Sequence, residues 1–258
     1  MTIAFNKYQG AGNDFIMIDN RNSIFNPENA SLINRLCDRR FGIGADGLIL
    51  IDSVQDFDFE MVYFNSDGYR GTMCGNGGRC AADFASKLGI GGKILTFKAA
   101  DGTHEAVLED GLIRLKMNDV IQIGKVNENY FINTGSPHYI IFTDELDNFD
   151  VNTEGRKLRW SKDFQPGGTN VNFVKPGKNG IYVRTFERGV ENETLSCGTG
   201  VTASAIASVL SGHFVSSPVS VRTNGGNLKV EFNIAGNQIT DIWLCGPATF
   251  VFEGIINI

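Results

Sequence analysis

Short apolar runs separated by polar turns dominate the chain and predict strands. In the first half these runs cover 15–19, 48–52, 59–64, 104–110 and 112–117. In the second half they cover 139–143, 170–174, 181–186, 228–234 and 239–244. Runs of this length, rich in Val, Ile, Phe and Tyr and bounded by Gly, Asn and Asp, are typical of β-structure. We therefore expect a chain built mainly of strands.

Two segments, 77–89 and 200–212, break this pattern and predict helices. In each, small and apolar residues continue beyond the length of a strand, and the run stops at a glycine that suits a helix C-terminus. The second segment contains no charged residue. A helix that is apolar on every side is normally buried, so we expect it to lie inside a wrapped sheet.

The two predicted helices belong to an internal repeat. A shift of 123 residues lays residues 74–77 (CGNG) over 197–200 (CGTG), and 12–13 (GN) over 135–136 (GS). A shift of 124 lays 97–102 over 221–226. Three blocks in the same order at a nearly constant offset indicate a duplication.

The duplication predicts two similar domains. We expect an α+β fold divided near residue 120, with an N-terminal domain over 1–119 and a C-terminal domain over 120–258. The C-terminal tail, from about 246 to 258, is a segment that can pack back on the first domain.

Composition and charge narrow the class of protein. Hydrophobic residues make up 42% of the 258 and charged residues 20%, which is the balance of an ordinary globular chain. The net charge is −6 and no basic run occurs, so no nucleic-acid partner is expected. The first residues lack a signal-peptide layout, and no stretch approaches the roughly 20 apolar residues of a membrane span. We therefore expect no membrane partner and a cytoplasmic location.

The cysteines carry the first chemical signal. They are five, widely spaced and without a CxxC pair, so we expect reduced thiols and no metal site. Cys74 and Cys197 each directly precede a Gly-x-Gly turn that opens a predicted helix. The N–H groups and the dipole at a helix start favour an anion, so a thiol there should lose its proton more readily. Cys37, Cys80 and Cys245 are interpreted as small buried residues.

A matched pair of such thiols suits the inversion of a carbon centre. One group takes a proton from one face, and the other returns a proton on the opposite face. Glu187 can accept hydrogen bonds from an ammonium, and Arg188 can bind a carboxylate with two parallel bonds. An α-carboxylate fits the N–H groups at the two helix starts, those of Gly75, Asn76, Gly198 and Thr199. Together these residues point to an amino-acid substrate.

Ordered blocks along the chain resemble the signature blocks of the diaminopimelate epimerase family. They are 10–15 (GAGNDF), 40–47 (RFGIGADG), 64–68 (FNSDG), 74–80 (CGNGGRC), 169–173 (TNVNF), 187–189 (ERG), 197–200 (CGTG), 246–248 (GPA) and 251–254 (VFEG). The resemblance implies a cofactor-independent isomerase that interconverts LL- and meso-diaminopimelate in lysine and cell-wall synthesis without pyridoxal phosphate. It also implies two pseudo-symmetric domains, each a mostly antiparallel β-sheet wrapped around a central helix, with the active site between them.

The resemblance also implies roles for single residues. Cys74 and Cys197 match the thiolate base and the thiol acid. Glu187 matches the carboxylate that receives the substrate ammonium, and Glu187 and His138 match the residues that tune the two thiols. The reacting carboxylate would be bound by Gly75, Asn76, Gly198 and Thr199. Further substrate-binding positions are matched by Asn13, Asn65, Asn170 and Arg188. His104 and His213 match no such position and are expected to be surface or packing residues.

Three features depart from the family pattern. Ser136 stands where the family usually has Asn, and Gly47 stands where some members have Gln. The segment 189–194 is one residue longer than the usual run before the second cysteine. These departures bear on the fit of the distal substrate end and leave the two thiols untouched.

Other functions are less well supported by the sequence. A related proline or hydroxyproline racemase or epimerase would share the paired cysteines, but its substrate lacks the second end that Asn65, Asn170 and Arg188 would hold. Residues 198–203 fit a dinucleotide fingerprint, but no acidic residue follows at the required distance. A cysteine hydrolase would leave one cysteine unexplained. A non-catalytic amino-acid-binding protein would have no use for two opposed thiols. The expected partner is a small molecule, and the sequence leaves a homodimer open.

Overall fold

The computed structural model describes residues 2–109 and 111–257. Within these ranges, none of the helices has the length and apolar character needed to cross a membrane. The α-helices of the described residues are α1 (Ala30–Cys37), α2 (Gly75–Lys87), α3 (Val151–Arg159) and α4 (Gly198–Leu210). A single turn of 3₁₀ helix covers Lys162–Phe164.

Strands make up most of the remaining regular structure. In the first half they are β1 (Thr2–Gly10), β2 (Asn13–Asp19), β3 (Gly47–Asp52), β4 (Phe59–Asn65), β5 (Ile94–Ala99), β6 (Gly102–Glu109) and β7 (Leu112–Lys116). In the second half they are β8 (Ile123–Val126), β9 (Asn129–Asn133), β10 (Pro137–Phe142), β11 (Asn170–Gly177), β12 (Gly180–Glu187), β13 (Asn192–Thr194), β14 (Val219–Thr223), β15 (Gly226–Ala235), β16 (Gln238–Gly246) and β17 (Thr249–Asn257).

The chain divides into two compact units. The first contains the residues up to Leu115 together with those from Gly246 onward, and the second runs from Lys116 to Cys245. In the first unit the strand order is β17-β1-β2-β3-β4-β5-β6-β7, antiparallel except for the parallel pairs β2/β3 and β4/β5. Parallel neighbours need a crossover connection, and here α1 and α2 supply the two crossovers.

The second unit repeats this order of elements. Its strands follow the order β8-β9-β10-β11-β12-β14-β15-β16, with the short β13 paired to β12. The parallel pairs are β10/β11 and β12/β14, and α3 and α4 supply their crossovers. Each second crossover helix packs against several strands of its own unit: α2 contacts β1, β2, β3, β4 and β6, and α4 contacts β9, β10, β11, β12, β14 and β15.

The sheet register repeats at the offset found in the sequence. Phe15 of β2 is paired with Gly47 of β3, and His138 of β10 is paired with Asn170 of β11. Each member of the second pair lies 123 residues after its counterpart. The offset of the cysteine motifs is therefore also the offset of the strands beside them.

The ten predicted strands are confirmed, and Asp110, the last residue predicted for 104–110, lies outside the described residues. Both predicted helices are confirmed, although α2 and α4 each begin two residues earlier than predicted, at the first glycine after the cysteine. The expected burial of the apolar helix is confirmed, since α4 is buried from Gly200 to Val209.

The sequence patterns missed the helices α1 and α3. They have only 8 and 9 residues, and each begins at a polar cap, where Asn29 accepts from the Leu32 N–H and Asp150 from the Thr153 N–H. Helices this short show little periodicity and depend on their caps and on tertiary packing. The strands β1, β5, β8, β9, β13, β14 and β17 were also not predicted.

Gly89 and Gly212 end the two long crossover helices in a left-handed conformation, both at φ +76°. A Cβ at either position would have no atom within 4 Å, so the cost of adding one comes from the backbone alone. We predict that Gly89→Ala and Gly212→Ala each lower the free energy of unfolding by about 1–2 kcal/mol. Urea denaturation measures this. Gly92→Ala is the matched control, because a Cβ there is equally uncrowded but the backbone is not left-handed. An equal loss in the control would contradict the explanation.

Candidate active site

Cys74 and Cys197 occupy the N-cap positions of α2 and α4. Their backbone angles are nearly the same, with φ/ψ of −109°/119° and −115°/111°. In these two described helices, neither cysteine side chain accepts a capping hydrogen bond and neither first turn contains an acidic residue. Each helix therefore begins with a thiol next to backbone N–H groups that the cysteine side chain itself does not cap.

The other three cysteines are buried, as expected. Cys37, Cys80 and Cys245 are at most 3% exposed, Cys197 is also buried at 8% exposed, and Cys74 is partly exposed. Burial raises the pKa of Cys37 and of Cys80 to about 12. Those two thiols stay protonated at neutral pH and cannot serve as bases.

In the first unit, the predicted site residues gather at one end of the strands. Asn13 begins β2 and Asn65 ends β4, and the register of β2, β3 and β4 brings these positions to the same end of the sheet. Asn13 Nδ2 donates to Asp46 Oδ2 at 3.0 Å, and Asn13 Oδ1 accepts from Asn76 Nδ2 at 2.5 Å. The Asn13 amide is thus oriented by the first turn of α2.

Arg79 holds that first turn from inside the unit. It is fully buried, and its guanidinium donates to Asn76 Oδ1 at 2.9 Å and to the Gly75 carbonyl at 3.2 Å. Sequence reasoning did not single out Arg79. The available signal was an arginine among small residues near the start of a predicted helix, between Gly78 and Ala81.

In the second unit, Asn170 connects three elements at the corresponding end of the strands. It begins β11, and its Oδ1 accepts from the Arg188 N–H at 2.8 Å, just beyond the end of β12. Its Nδ2 donates to Ser136 Oγ at 3.1 Å and to the Pro137 carbonyl at 2.9 Å. Glu187, the last residue of β12, lies at the same end and is partly exposed.

His138 is linked to Cys197 through Thr199. His138 Nε2 lies 2.9 Å from Thr199 Oγ1, which lies 3.4 Å from Cys197 Sγ. Burial, assisted by the positive charge of Arg188, lowers the pKa of His138 to about 3. The imidazole is therefore neutral at neutral pH, so its effect on this thiol is that of a neutral hydrogen-bonding group.

The other two histidines pack against aromatic rings, as expected. The His104 ring stacks on Phe97 with 5.4 Å between centroids, and His104 Nε2 lies 2.8 Å from Asp101 Oδ1. His213 contacts Phe142 with 4.6 Å between ring centroids. Among the residues that the structure describes, no cluster of three or more His, Cys, Asp or Glu side chains forms a metal site.

Each departure from the family pattern has a local structural counterpart. Ser136 Oγ lies 3.0 Å from His138 Nε2 and so joins the hydrogen bonds around that histidine. Beside Gly47, the Tyr63 ring fills the space of a side chain, since a Cβ on that glycine would lie 2.5 Å from Tyr63 Cε2. The longer segment 189–194 ends in β13 (Asn192–Thr194), which pairs with β12.

Comparison with known proteins decides the family. Residues 5–123 and 130–251 match the family model described as diaminopimelate epimerase. A diaminopimelate epimerase from Flavobacterium psychrophilum is 53% identical over 253 residues, covering 97% of this chain and 98% of that protein. One from Chlorobaculum tepidum is 46% identical over 260 residues, covering 96% and 99%. The chain belongs to the diaminopimelate epimerase family. The resemblance found in the sequence is confirmed, and the enzyme class is that of an isomerase.

Solved structures of other proteins share the fold. A phenazine biosynthesis protein of the PhzF family from Bacillus anthracis superposes with a TM-score of 0.79 at 15% identity, covering 100% of both chains. A hydroxyproline epimerase from Agrobacterium vitis superposes with a TM-score of 0.70 at 14% identity, covering 99% of this chain and 92% of that one. At such identities the likeness extends to the fold alone. The fold that this chain shares with them is mixed and consists mostly of strands.

The close packing of α4 against Asn172 and His138 requires a glycine at position 200. A Cβ there would lie 2.4 Å from Asn172 Oδ1 and 3.2 Å from His138 Cε1, and both side chains are fully buried. At the equivalent Gly77, a Cβ would meet the mobile ends of Ile49, at 3.0 Å, and Met61, at 3.3 Å.

We predict that Gly200→Ala lowers the free energy of unfolding by about 1–3 kcal/mol through overpacking. Gly77→Ala should cost less, because a methyl end can move aside and alanine favours the helix. Denaturation of both variants in urea compares the two costs. A Gly200→Ala variant as stable as Gly77→Ala would mean that the site can yield at Asn172.

Proposed function

We propose that this chain interconverts LL- and meso-diaminopimelate without a cofactor, with Cys74 and Cys197 acting on opposite faces of the α-carbon. The observation that carries the proposal is the matched placement of the two cysteines. Each is the N-cap of a buried crossover helix, in the same backbone conformation, in a chain of the diaminopimelate epimerase family.

The reaction needs one proton to leave and one to arrive. The thiolate of one cysteine takes the α-proton, and the electron pair left on the carbon delocalises into the α-carboxylate. The thiol of the other cysteine then gives its proton to the opposite face. The two isomers present their α-hydrogens to opposite faces, so the roles of base and acid exchange with the direction of reaction. After one turnover the sulfur that began as a thiolate carries a proton, and the sulfur that began as a thiol has lost its proton.

The helix starts stabilise the charge that develops in this step. We assign the reacting carboxylate to the N–H groups of Gly75, Asn76, Gly198 and Thr199, where the helix dipoles favour an anion. The bonds that Asn13 and Arg79 make to Asn76 support this assignment, because they hold the first turn of α2 in place before substrate arrives. Preorganised donors lose little free energy in reorienting as charge forms.

The remaining predicted residues would hold the rest of the substrate. We assign Asn13, Asn65, Asn170 and Arg188 to substrate binding, several of them at the distal end. Glu187 would receive the substrate ammonium and, with His138, tune the thiols. Support comes from the register, which gathers each unit's members of this set at one end of its strands.

We further infer that the chain consists of two pseudo-symmetric domains divided near residue 120, each a sheet wrapped around its central helix. The repeated strand order and the 123-residue offset support this. A cytoplasmic location is proposed because five thiols suit a reducing compartment.

The sequence left a homodimer open. Exposed apolar residues on β17 offer one candidate surface for it, namely Phe250, Val251, Phe252 and Ile255. Light scattering measures whether the chain forms a dimer in solution.

The alternative, a proline or hydroxyproline racemase or epimerase, has weaker support. Its solved relative shares the fold at 14% identity, whereas the diaminopimelate epimerases share 53% and 46% of residues over nearly the whole chain. Incubation with LL-diaminopimelate in deuterated water, with proline and 4-hydroxyproline in parallel, separates the two functions. We expect the meso isomer, deuterated at one α-carbon, and no exchange into the proline substrates.

We predict that Cys74→Ala and Cys197→Ala each lower kcat for epimerisation by about 100-fold or more, because one face of the carbon then lacks its proton donor or acceptor. The rate of meso isomer formation measures this. Cys80→Ala is the matched control, since its buried thiol lies on the same helix as the Cys74 motif and should leave the rate nearly unchanged. Comparable damage in the control would show that the wrong pair had been assigned.

We predict that Arg188→Lys weakens binding of diaminopimelate by about 1.5–3 kcal/mol, because an ammonium cannot make the two parallel bonds of a guanidinium to the distal carboxylate. The measurement is kcat/KM for diaminopimelate and for an analogue that lacks the distal carboxylate. The analogue should react equally poorly with both enzymes. If the substitution slowed both substrates by the same factor, Arg188 would belong at the reacting centre.

A further inference from the structure

Asn172 is fully buried next to His138 and takes no part in the proposed proton transfers. Its Nδ2 lies 3.0 Å from His138 Nδ1 and 3.4 Å from the carbonyl of Tyr139. Its Oδ1 accepts from Thr185 Oγ1 at 2.9 Å. Every polar atom of the Asn172 side chain is therefore engaged inside the second unit.

These contacts determine which nitrogen of His138 carries the proton. The Tyr139 carbonyl can only accept, so the amide nitrogen of Asn172 must face it. The same nitrogen faces His138 Nδ1, which therefore accepts as well. Because the buried imidazole is neutral at neutral pH, its single proton lies on Nε2. Arg188 is the charged group that acts on this ring, and it opposes a second proton.

The Nε2 proton orients the hydroxyl groups next to it. His138 Nε2 can donate to Thr199 Oγ1 at 2.9 Å or to Ser136 Oγ at 3.0 Å. Ser136 Oγ also receives Asn170 Nδ2 at 3.1 Å, so it is well supplied with donors, and its own proton can go to Thr199 Oγ1 at 3.2 Å. The proton of Thr199 is then left for Cys197 Sγ, 3.4 Å away.

We infer that Asn172 is a positioning residue that holds the His138 proton on Nε2 and so directs the Thr199 hydroxyl to donate to Cys197 Sγ, favouring the thiolate of Cys197. The inference rests on the proposed function of Cys197. The first unit has no such arrangement at the equivalent positions, since Phe15 and Ile49, each 123 residues earlier, are buried and apolar. The two thiols are thus prepared for their roles by different means.

The test measures the ionisation of Cys197 without using substrate. In a Cys74→Ala background, the rate of alkylation by iodoacetamide is followed against pH, and the modified cysteine is identified by mass mapping. The buried Cys37, Cys80 and Cys245 serve as internal references. The pH of half-maximal alkylation reports how readily the Cys197 thiol loses its proton.

Thr199→Val removes the donor hydroxyl and should raise this midpoint by about one unit, a tenfold loss of thiolate below it. Ser136→Ala is the matched control, because it removes a hydroxyl that also lies within hydrogen-bond distance of His138 Nε2, at 3.0 Å, but does not donate to the sulfur. It should leave the midpoint where it is. An unchanged midpoint in Thr199→Val, or an equal rise in Ser136→Ala, would overturn the inference.

Asn172→Asp tests the positioning role itself. A carboxylate can only accept, so His138 must place its proton on Nδ1, and Nε2 then draws the Thr199 hydroxyl away from the sulfur. The midpoint should rise in this variant and should rise by less when Asn172→Asp is added to Thr199→Val, because only the charge of the new carboxylate then acts on the sulfur. A lower midpoint, or a full additional rise in the double variant, would overturn the inference. Asn172→Leu, which removes the donor without adding a charge, should also raise the midpoint and serves if the aspartate variant does not fold.

Epimerisation by the unaltered chain is measured separately. If that chain epimerises diaminopimelate and the midpoints do not move as expected, the inference about Asn172 fails while the proposed function stands. If the midpoints move as expected and no epimerisation occurs, the proposed function fails while the hydrogen-bonded arrangement stands.

Discussion

The parallel strand pairs impose the constraint on which the site depends. Two parallel neighbours cannot be joined by a tight turn, so the chain must leave the sheet and return through a crossover. In each unit the second crossover is a helix that begins directly after a cysteine, at Cys74 and at Cys197. Because each of these helices packs against several strands of its unit, its first turn has a defined position. The topology of the sheet therefore sets the position of the thiol.

The two units use the same topology but support their helix starts differently. In the first, the buried guanidinium of Arg79 bonds to Asn76, which in turn bonds to Asn13. In the second, the neutral His138 lies beside the Thr199 hydroxyl, next to Cys197. The two units therefore have nearly the same backbone conformation at both cysteines, while the side chains beneath them differ. Under the proposed mechanism this difference is useful, because the two thiols would be similar in geometry but would have to differ in protonation at any moment.

Close packing explains why small residues recur beside the site. Gly200 leaves room for Asn172 and His138 to approach the start of α4, and Gly47 leaves room for the ring of Tyr63. Both glycines act by having no side chain. Replacing either would push on buried or aromatic groups near the predicted substrate-binding residues, so the shape of the site depends on absent side chains as much as on present ones.

The sequence by itself determined the elements with strong local signals. Apolar runs predicted ten strands, and the glycines after two small-residue segments predicted the ends of the two long crossover helices. The offset of 123 residues brought out both thiols, because repeated motifs are visible without a structure. Sequence also supplied the family, since its blocks are ordered and specific. The helices α1 and α3 were missed because their stability comes from caps and packing rather than from periodicity.

Only the tertiary structure decided how the site residues are supported. Asn172 and Arg79 lie within recognised motifs, but nothing in their spacing shows that they are buried against His138 and Asn76. The neutral state of His138 likewise follows from its complete burial, which depends on β10, β11 and α4 coming together. Hydrogen-bond polarity and ionisation arise from groups far apart in the chain, so they are set only when the strands pair and the helix packs on them.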